Sequence, residues 1–368
     1  MIKNLLRTGL FVVLPTLLLC VVMLEVGLRA TGRRPSNVTE GIFDWSGTTY
    51  RLHRDWTKLS KTPSFSYTVH SNSYGLRDRA PGPRLLGPAP YYLFAGDSIT
   101  FGNGVDYDDS FVGVFAQSAR KRGIDAVNLA VGGHRFSDQE ALLLDLMSEV
   151  RQKPAKVVVV FTKQFLTGFE ADVSTTHMVK DGYLFLKDHW VVPYLLGKLG
   201  DASAAYSFFR DAIRKLQGRI TQSGNRVALE ALRDFSSESP WASRPLVDRF
   251  EGRLTKLDQE IRQAGATPVY VYMPVSLDLR LDEFLAMTGR SAADHDFLRF
   301  YKLLRRHADS AGIQLVDLLP PLQKLHAAGV AVSFMQDPHY TAEANRVIGQ
   351  ALADALLGAP ASPPSSER

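Results

Sequence analysis

The sequence predicts an α/β fold built on a doubly wound parallel sheet. Short apolar strands alternate with helical segments along most of the chain, as in repeated strand–helix–strand units. One predicted strand, residues 157–161, is an unbroken run of β-branched and aromatic residues, which is typical of a strand covered by helices on both faces. Two other predicted strands run into the glycine turns at Gly96 and Gly132. Such turns expose backbone at the carboxyl edge of a sheet, where α/β proteins bind their ligands.

The length of 368 residues suits one large α/β domain with appendages. Shifts in composition divide the chain into four predicted parts. These are a membrane anchor (1–30), a lead-in segment with a short hairpin (31–88), the α/β domain (89–357) with an insertion at about 165–242, and a disordered Pro/Ser-rich tail (358–368).

The first apolar run is predicted to hold the chain in a membrane. Residues 8–24 carry no charge, and the run extends to residue 28 if Glu25 is tolerated near the interface. A cleavable signal peptide is the alternative, but no small-residue cleavage site follows the run. We therefore expect an uncleaved single-pass anchor. Because large domains translocate regardless of flanking charges, we expect the body outside the cytoplasm, in the periplasm or its equivalent.

The basic excess of the chain lies beside this run. The formal net charge is +5, yet residues 35–368 carry 38 basic and 37 acidic side chains. Five basic residues flank the apolar run: Lys3, Arg7, Arg29, Arg33 and Arg34. The body therefore has no bulk attraction for nucleic acid, and no nucleic-acid partner is expected.

The other elements follow from periodicity and from Gly, Pro and capping residues. Helices are predicted at 110–122, 138–151, 245–263, 294–311, 320–328 and 341–357, with Thr341 as an N-cap. Strands are predicted at 91–94, 127–131, 157–161, 268–273 and 313–317, and an edge strand at 66–72. The insertion is predicted to hold a hairpin (181–193), a helix (206–216) and a polar loop (221–240).

A serine and an Asp-x-His pair form the candidate catalytic group. Ser98 lies in a Gly-Asp-Ser turn after a buried strand, although such a turn also occurs for backbone reasons alone. Asp337 and His339 precede the last predicted helix, and His339 lies 241 positions after Ser98. Nucleophilic serine chemistry needs a base, a group that orients the base, and donors for the oxyanion. Ser98, His339 and Asp337 fit the first three roles, and the backbone N–H groups of Ser98 and Gly133 fit the last.

These residues resemble the SGNH/GDSL hydrolase superfamily, in its membrane-anchored bacterial form. The matching motifs are Gly-Asp-Ser-Ile at 96–99, Gly133 after the second strand, and the Asp-x-His before the last helix. Residues 72–77 and 128–139 also look like such members, and the resemblance covers roughly 66–357. It implies a flavodoxin-like three-layer fold and an esterase or acyl-transfer activity that uses Ser98, His339 and Asp337.

The sequence departs from this family at two places. The family has an oxyanion-binding Asn after its third strand, where this chain reads Phe-Thr-Lys-Gln-Phe at 161–165. We predict that Gln164 supplies the missing donor, with the charge of Lys163 as the alternative. Many members also place the acid three residues before the His, and here that position is Gln336. The shorter Asp-x-His spacing is similar to that of polysaccharide O-acetyltransferases of related fold.

The leading hypothesis is a serine esterase or deacylase that acts outside the cytoplasm on a small-molecule or glycan O-acyl ester. A polysaccharide O-acetyltransferase is the alternative enzyme, and a catalytically decayed binding or scaffold module is the alternative from another class. No cofactor is expected. No metal is expected either, since the nine histidines show none of the spacings of metal sites.

Overall fold

The computed structural model describes residues 9–33, 35, 41–61, 65–82, 89–163, 177–220, 235–236, 239–289, 291, 293, 295–334 and 337–358. The strands are β1 (Phe43–Trp45), β2 (Tyr50–Leu52), β3 (Thr57–Lys61), β4 (Ser66–Ser71), β5 (Arg77–Asp78), β6 (Tyr91–Ala95), β7 (Asp125–Asn128), β8 (Lys156–Phe161), β9 (His177–Lys180), β10 (Tyr183–Leu186), β11 (Thr267–Tyr272) and β12 (Gln314–Asp317). The helices are α1 (Leu14–Ala30), α2 (Ser98–Phe101), α3 (Phe111–Arg120), α4 (Phe136–Glu149), α5 (Val191–Ala202), α6 (Ala204–Ile220), α7 (Arg244–Gln263), α8 (Ser276–Leu279), α9 (Leu281–Thr288), α10 (Arg299–Ala311), α11 (Leu319–Ala327) and α12 (Ala342–Leu357).

The centre of the molecule is an eight-stranded sheet in the order β12-β11-β8-β6-β7-β5-β4-β3. The pairs from β12 to β7 are parallel, which confirms the predicted α/β class with helices wound on both faces. The lead-in segment adds three antiparallel strands at one edge. The sheet is therefore mixed, because β5 meets β7 through the pair Arg77–Asn128 and β4 and β3 continue from it.

Strand β8 shows how the core forms. Val157 and Val159 pack in one apolar layer with α4, α7 and α10, whereas Val158 and Val160 pack in the other with α3, α11 and α12. All four are at most 2% exposed. Each buried side chain of this size contributes about 1.5–3 kcal/mol, so the run that predicted double-sided burial also stabilises both layers.

Several predicted boundaries differ from the structure. The second strand ends at Asn128 rather than 131, because the Asn128 side chain turns back to accept a hydrogen bond from Ala130 N at 3.0 Å. The helix predicted from 294 begins at Arg299. The predicted hairpin at 181–193 ends at Leu186, and α5 begins at Val191 with Pro193 in its first turn, where proline is tolerated.

Helix α1 and the insertion meet in the structure. The segment Phe11–Ala30 is 20 residues long with a mean hydropathy of 2.5, and it is long and apolar enough to cross a membrane. Helix α1 contacts α6, and α6 contacts α5. Residues 221–234 of the predicted polar loop and the tail from 359 lie outside the described residues.

Candidate active site

The turn that carries Ser98 is held by its own neighbours. Asp97 caps α2, since its Oδ1 accepts a hydrogen bond from Ile99 N at 2.9 Å. Its Oδ2 accepts a second hydrogen bond from Thr162 Oγ1 at 2.8 Å. Burial raises the pKa of Asp97, against these hydrogen bonds, which favour its charged form. A Cβ on Gly96 would lie 2.0 Å from Thr100 Oγ1, so only glycine fits there. The Gly-Asp-Ser sequence thus fixes the position of the serine.

Ser98, His339 and Asp337 lie in a chain of contacts. Ser98 Oγ is 2.8 Å from His339 Nε2, and His339 Nδ1 contacts Asp337 Oδ1. The same carboxylate oxygen accepts from the backbone N–H of His339 at 2.9 Å. Burial alone would raise the pKa of Asp337, but the ring and backbone N–H groups of His339 outweigh it, and the pKa is lowered. An ionised Asp337 keeps the proton on Nδ1 and leaves the Nε2 lone pair facing the serine hydroxyl.

The loop that carries His339 is tied down on both sides. Phe334 N donates to His339 O at 3.1 Å, and Ser333 and Tyr340 form an isolated antiparallel bridge. The Tyr340 hydroxyl donates to the Pro274 carbonyl, and Thr341 caps α12 by accepting from Ala344 N. The ring of His339 is therefore held in place by contacts on both sides of its loop.

The glycines after β7 lie beside the serine. A Cβ on Gly132 would lie 3.9 Å from Ser98 Cβ, and Gly133 has a φ of 86°. Both glycines and Ser98 line the same cavity. The structure therefore brings together the two residues, Ser98 and Gly133, whose backbone N–H groups are predicted to bind the oxyanion.

Gln164 and Lys163 are the two side chains considered as the third oxyanion donor. Gln164 lies outside the described residues. Lys163 is 7% exposed, and its ammonium contacts the Asp278 carboxylate and lies 4.1 Å from the centre of the Phe235 ring. Burial lowers the pKa of Lys163, against the attraction of Asp278. The charge of Lys163 is thus neutralised inside the protein by a partner that the motif does not contain.

Asn103 is a polar residue of the site that the sequence reasoning did not select. Its Nδ2 lies 3.3 Å from His339 Nε2, and its Oδ1 accepts from the Tyr67 hydroxyl at 2.9 Å. Burial raises the pKa of Tyr67, which keeps the phenol protonated as a donor. Asn103 Nδ2 would also lie 3.7 Å from a Cβ on Gly132. A hydrogen-bond donor therefore stands where Ser98, Gly132 and His339 converge.

Arg77, from the lead-in segment, supports the loop that follows Ser98. Its guanidinium is 1% exposed and donates to the carbonyl groups of Phe101, of Gly102 at 2.7 Å and of Val105 at 2.5 Å. It also lies 4.6 Å from the centre of the Phe101 ring. Burial lowers the pKa of Arg77 to about 10, so the group is still charged at neutral pH. Its donors fix the loop that carries Asn103.

These residues open into a cavity of about 830 Å³. One wall, which we call the polar wall, consists of Ser98, Asn103, Gly132, Gly133, Asp337 and His339. Another part of the lining, which we call the apolar wall, comes from β10, α5 and α6 and includes Tyr183, Phe185, Pro193, Leu196 and Tyr206, with Arg210 as its charged member. Ser98 thus faces a volume far larger than an acetyl group occupies.

No family model matches the chain, and no curated protein matches it. Several solved structures are similar to it. A member of the lipolytic protein G-D-S-L family from Veillonella parvula DSM 2008 has 12% identity and a TM-score of 0.40, with 73% of this chain and 99% of that chain covered. The acetyl xylan esterase AlAXEase has 14% identity and a TM-score of 0.40, with 72% and 99% covered. The lipase/acylhydrolase from Enterococcus faecalis has 11% identity and a TM-score of 0.38, with 73% and 96% covered. At these values the function must be argued from the chain's own site.

Proposed function

We propose that the protein is a serine esterase of SGNH type that cleaves an O-acyl ester outside the cytoplasm. The observation that carries the proposal is the chain of contacts from Ser98 through His339 to Asp337, with Nε2 2.8 Å from the serine Oγ. The spacing of nucleophile and base is that of a hydrogen bond, which is the geometric requirement for activating a serine.

In the proposed reaction, Ser98 Oγ attacks the ester carbonyl carbon while His339 Nε2 takes the hydroxyl proton. The bond from that carbon to the alcohol oxygen then breaks, and Nε2 returns the proton to the departing alcohol. Water attacks the resulting acyl-serine, Nε2 takes its proton, and the carboxylic acid leaves as Ser98 regains a proton. Asp337, held ionised by the N–H groups of His339, stabilises the imidazolium that forms in both halves.

Asn103 is the side-chain oxyanion donor in this proposal, alongside the backbone N–H groups of Ser98 and Gly133. In the resting site its Nδ2 faces the Nε2 lone pair at 3.3 Å. When Nε2 takes the serine proton it no longer accepts a hydrogen bond, so the amide of Asn103 is released as the oxyanion appears. Gln164, predicted from the family pattern, is the alternative donor.

The test is turnover of p-nitrophenyl acetate by the full chain in detergent. We expect hydrolysis by the wild type and, for Ser98→Ala, a residual rate at least about 10³-fold lower, since the nucleophile is absent. Ser137→Ala, a serine change on α4, serves as the matched control and is expected to keep wild-type turnover. A folded wild-type protein with the same rate as Ser98→Ala would refute the proposal.

A further inference from the structure

The end of the anchor helix is joined to the insertion by hydrogen bonds. The Glu25 carboxylate accepts from Ser203 Oγ at 2.9 Å, from Ala204 N at 3.0 Å and from Ala205 N at 2.8 Å. Arg29 pairs with Glu25 at 2.6 Å and donates to the Ala202 carbonyl at 2.7 Å. Glu25 therefore caps α6 from 178 or more positions away, and the junction of α5 and α6 lies at the end of α1. If α1 crosses the bilayer, this junction is at the membrane surface.

The helices at this junction expose apolar side chains. Val192 and Leu195 on α5 are 65% and 59% exposed, and Phe209 on α6 is 53% exposed. Further exposed apolar residues of the same pair are Val191, Leu199, Phe208 and Ile213. An apolar surface of this kind beside a helix able to span the bilayer is typical of an interfacial membrane contact.

Aromatic rings and cations border this surface. The Lys180 ammonium lies 4.8 Å from the Trp190 ring centre, and the Arg33 guanidinium lies 5.0 Å from that of Phe208. Tyr194 lies between Lys180 and Lys198, at 5.4 and 5.6 Å from their ammonium groups. Trp, Tyr, Lys and Arg are enriched at the lipid headgroup level, where rings meet acyl chains and cations meet phosphates.

The same two helices form part of the apolar wall of the cavity. Pro193, Leu196 and Gly197 of α5 and Tyr206 and Arg210 of α6 line the cavity, and Ser98 and His339 line the same cavity. The residues between them on α5, Val192 and Leu195, do not line the cavity and face outward. One helix pair thus separates the exposed apolar surface from the space next to the nucleophile.

From these contacts we infer that α5 and α6 rest in the lipid leaflet into which α1 inserts, and that the substrate is a long-chain ester drawn from that leaflet. Its acyl chain occupies the apolar wall and its carbonyl carbon meets Ser98 Oγ. This inference rests on the proposed esterase function and specifies its substrate class. It also requires an uncleaved anchor, because removal of α1 would strip Glu25 from the first turn of α6.

The first experiment locates the surface without using activity. On a Cys20→Ser background, the full chain carries an environment-sensitive fluorophore at Val192→Cys or, as the control, at Leu298→Cys. Leu298 is 43% exposed and precedes α10, which contacts α7, β11 and β12. In vesicles of phosphatidylethanolamine and phosphatidylglycerol, lipid brominated on its acyl chains is expected to quench the label at 192 and to leave that at 298 bright. No quenching at 192, including the case where it is covered by a second copy of the chain, would overturn the inference.

The second experiment compares two esters in the same vesicles, 4-methylumbelliferyl palmitate in the bilayer and the soluble acetate. The double variant Val192→Glu/Leu195→Glu is expected to lose palmitate turnover at least tenfold and to keep acetate turnover within twofold, whereas Leu298→Glu changes neither. Equal effects on both esters, or palmitate turnover like the wild type, would overturn the inference while acetate hydrolysis upholds the esterase. A wild type inactive on both esters, with the label at 192 still quenched, would refute the esterase instead.

Discussion

The two walls of the cavity are built in different ways. On the polar wall, each side chain that faces the proposed reaction has a partner within hydrogen-bond distance. Ser98 and Gly133 follow strands β6 and β7 of the central sheet, and His339 lies in the loop between α11 and α12. On the apolar wall, β10, α5 and α6 come from the insertion, and α5 and α6 hold more exposed apolar surface than the sheet does. From this difference we propose that the sheet positions the reacting groups, whereas the insertion selects which ester reaches them.

The largest effect is expected on the polar wall for Asp337→Asn. An amide in place of the carboxylate no longer holds the proton on Nδ1, so Nε2 loses the lone pair that accepts the serine proton. We expect kcat to fall by about 10⁴-fold on p-nitrophenyl acetate, as for other orienting carboxylates. The matched control is Asp317→Asn, at a carboxylate whose Oδ1 accepts from Leu319 N at the end of β12. A loss below tenfold for Asp337→Asn would show that the carboxylate does not orient the base.

A smaller loss on the same wall is expected for Asn103→Ala. Removal of one oxyanion donor costs about 10²–10³-fold in kcat with KM nearly unchanged, because the interaction exists mainly in the transition state. Steady-state kinetics of Asn103→Ala and Gln164→Ala, measured side by side, decide between the two donors. Wild-type kcat for Asn103→Ala together with a loss for Gln164→Ala would assign the role to Gln164. Tyr67→Phe should give an intermediate loss, since it frees the Asn103 amide to rotate.

On the apolar wall, Glu25→Ala is expected to loosen α6 and to spare the chemistry. The variant leaves the N–H groups of Ala204 and Ala205 without the carboxylate that accepts from them. Amide hydrogen exchange in the first turns of α6 should therefore accelerate at least about tenfold, with exchange in α12 unchanged. Glu343→Ala, an exposed carboxylate paired with Arg346, is the control. Unaltered hydrogen exchange in α6 would show that the Glu25 carboxylate does not stabilise this helix.

The smallest effect is expected on the pH dependence of folding stability, through His134, which follows Gly132 and Gly133. His134 is 5% exposed, its Nε2 lies 2.8 Å from the Tyr50 carbonyl oxygen, and burial lowers its pKa to about 4. The pKa of a histidine in the unfolded chain is near 6.5. At a pH between about 4 and 6.5, His134 therefore binds more protons in the unfolded chain than in the folded one. The stability that neutral His134 provides is therefore complete above pH 6.5 and falls as the pH drops, by up to about 1.4 kcal/mol per pH unit. His134→Gln should show a shallower decline of Tm from pH 6.5 to 5, and an identical decline would contradict the assignment.

The sequence predicted those features that depend on a few neighbouring residues. The valine run of β8, the Gly-Asp-Ser turn and the Asp-x-His segment each lie within one short stretch, and the structure brings Ser98, His339 and Asp337 into contact. The sequence did not reveal the contacts that join distant segments. The role of Asn103 depends on Tyr67 from β4, and the neutralisation of Lys163 depends on Asp278 from α8. No local pattern signals either pair, since each forms only when the sheet is assembled.

The pairing of the lead-in strands with β7 and the cap of α6 escaped prediction for the same reason, although an edge strand at 66–72 was predicted and β4 covers Ser66–Ser71. Strand β5 pairs with β7, which lies about 50 positions further along the chain, and β4 and β3 continue the sheet from β5. Glu25 is an isolated acid in an apolar run, which in the sequence only weakened the anchor prediction. In the structure its carboxylate finds three donors at the start of α6. A residue that breaks a local rule was thus the signal of a long-range contact.

The central claim, an activated serine at position 98, is tested most directly by covalent labelling. The full chain in detergent is treated with a fluorophosphonate, and the adduct is located by intact mass and peptide mapping. We expect one adduct per chain on Ser98, formed much more slowly in Asp337→Asn and absent in Ser98→Ala. A folded wild-type protein that remains unlabelled, or that carries the adduct at another residue, would contradict the account.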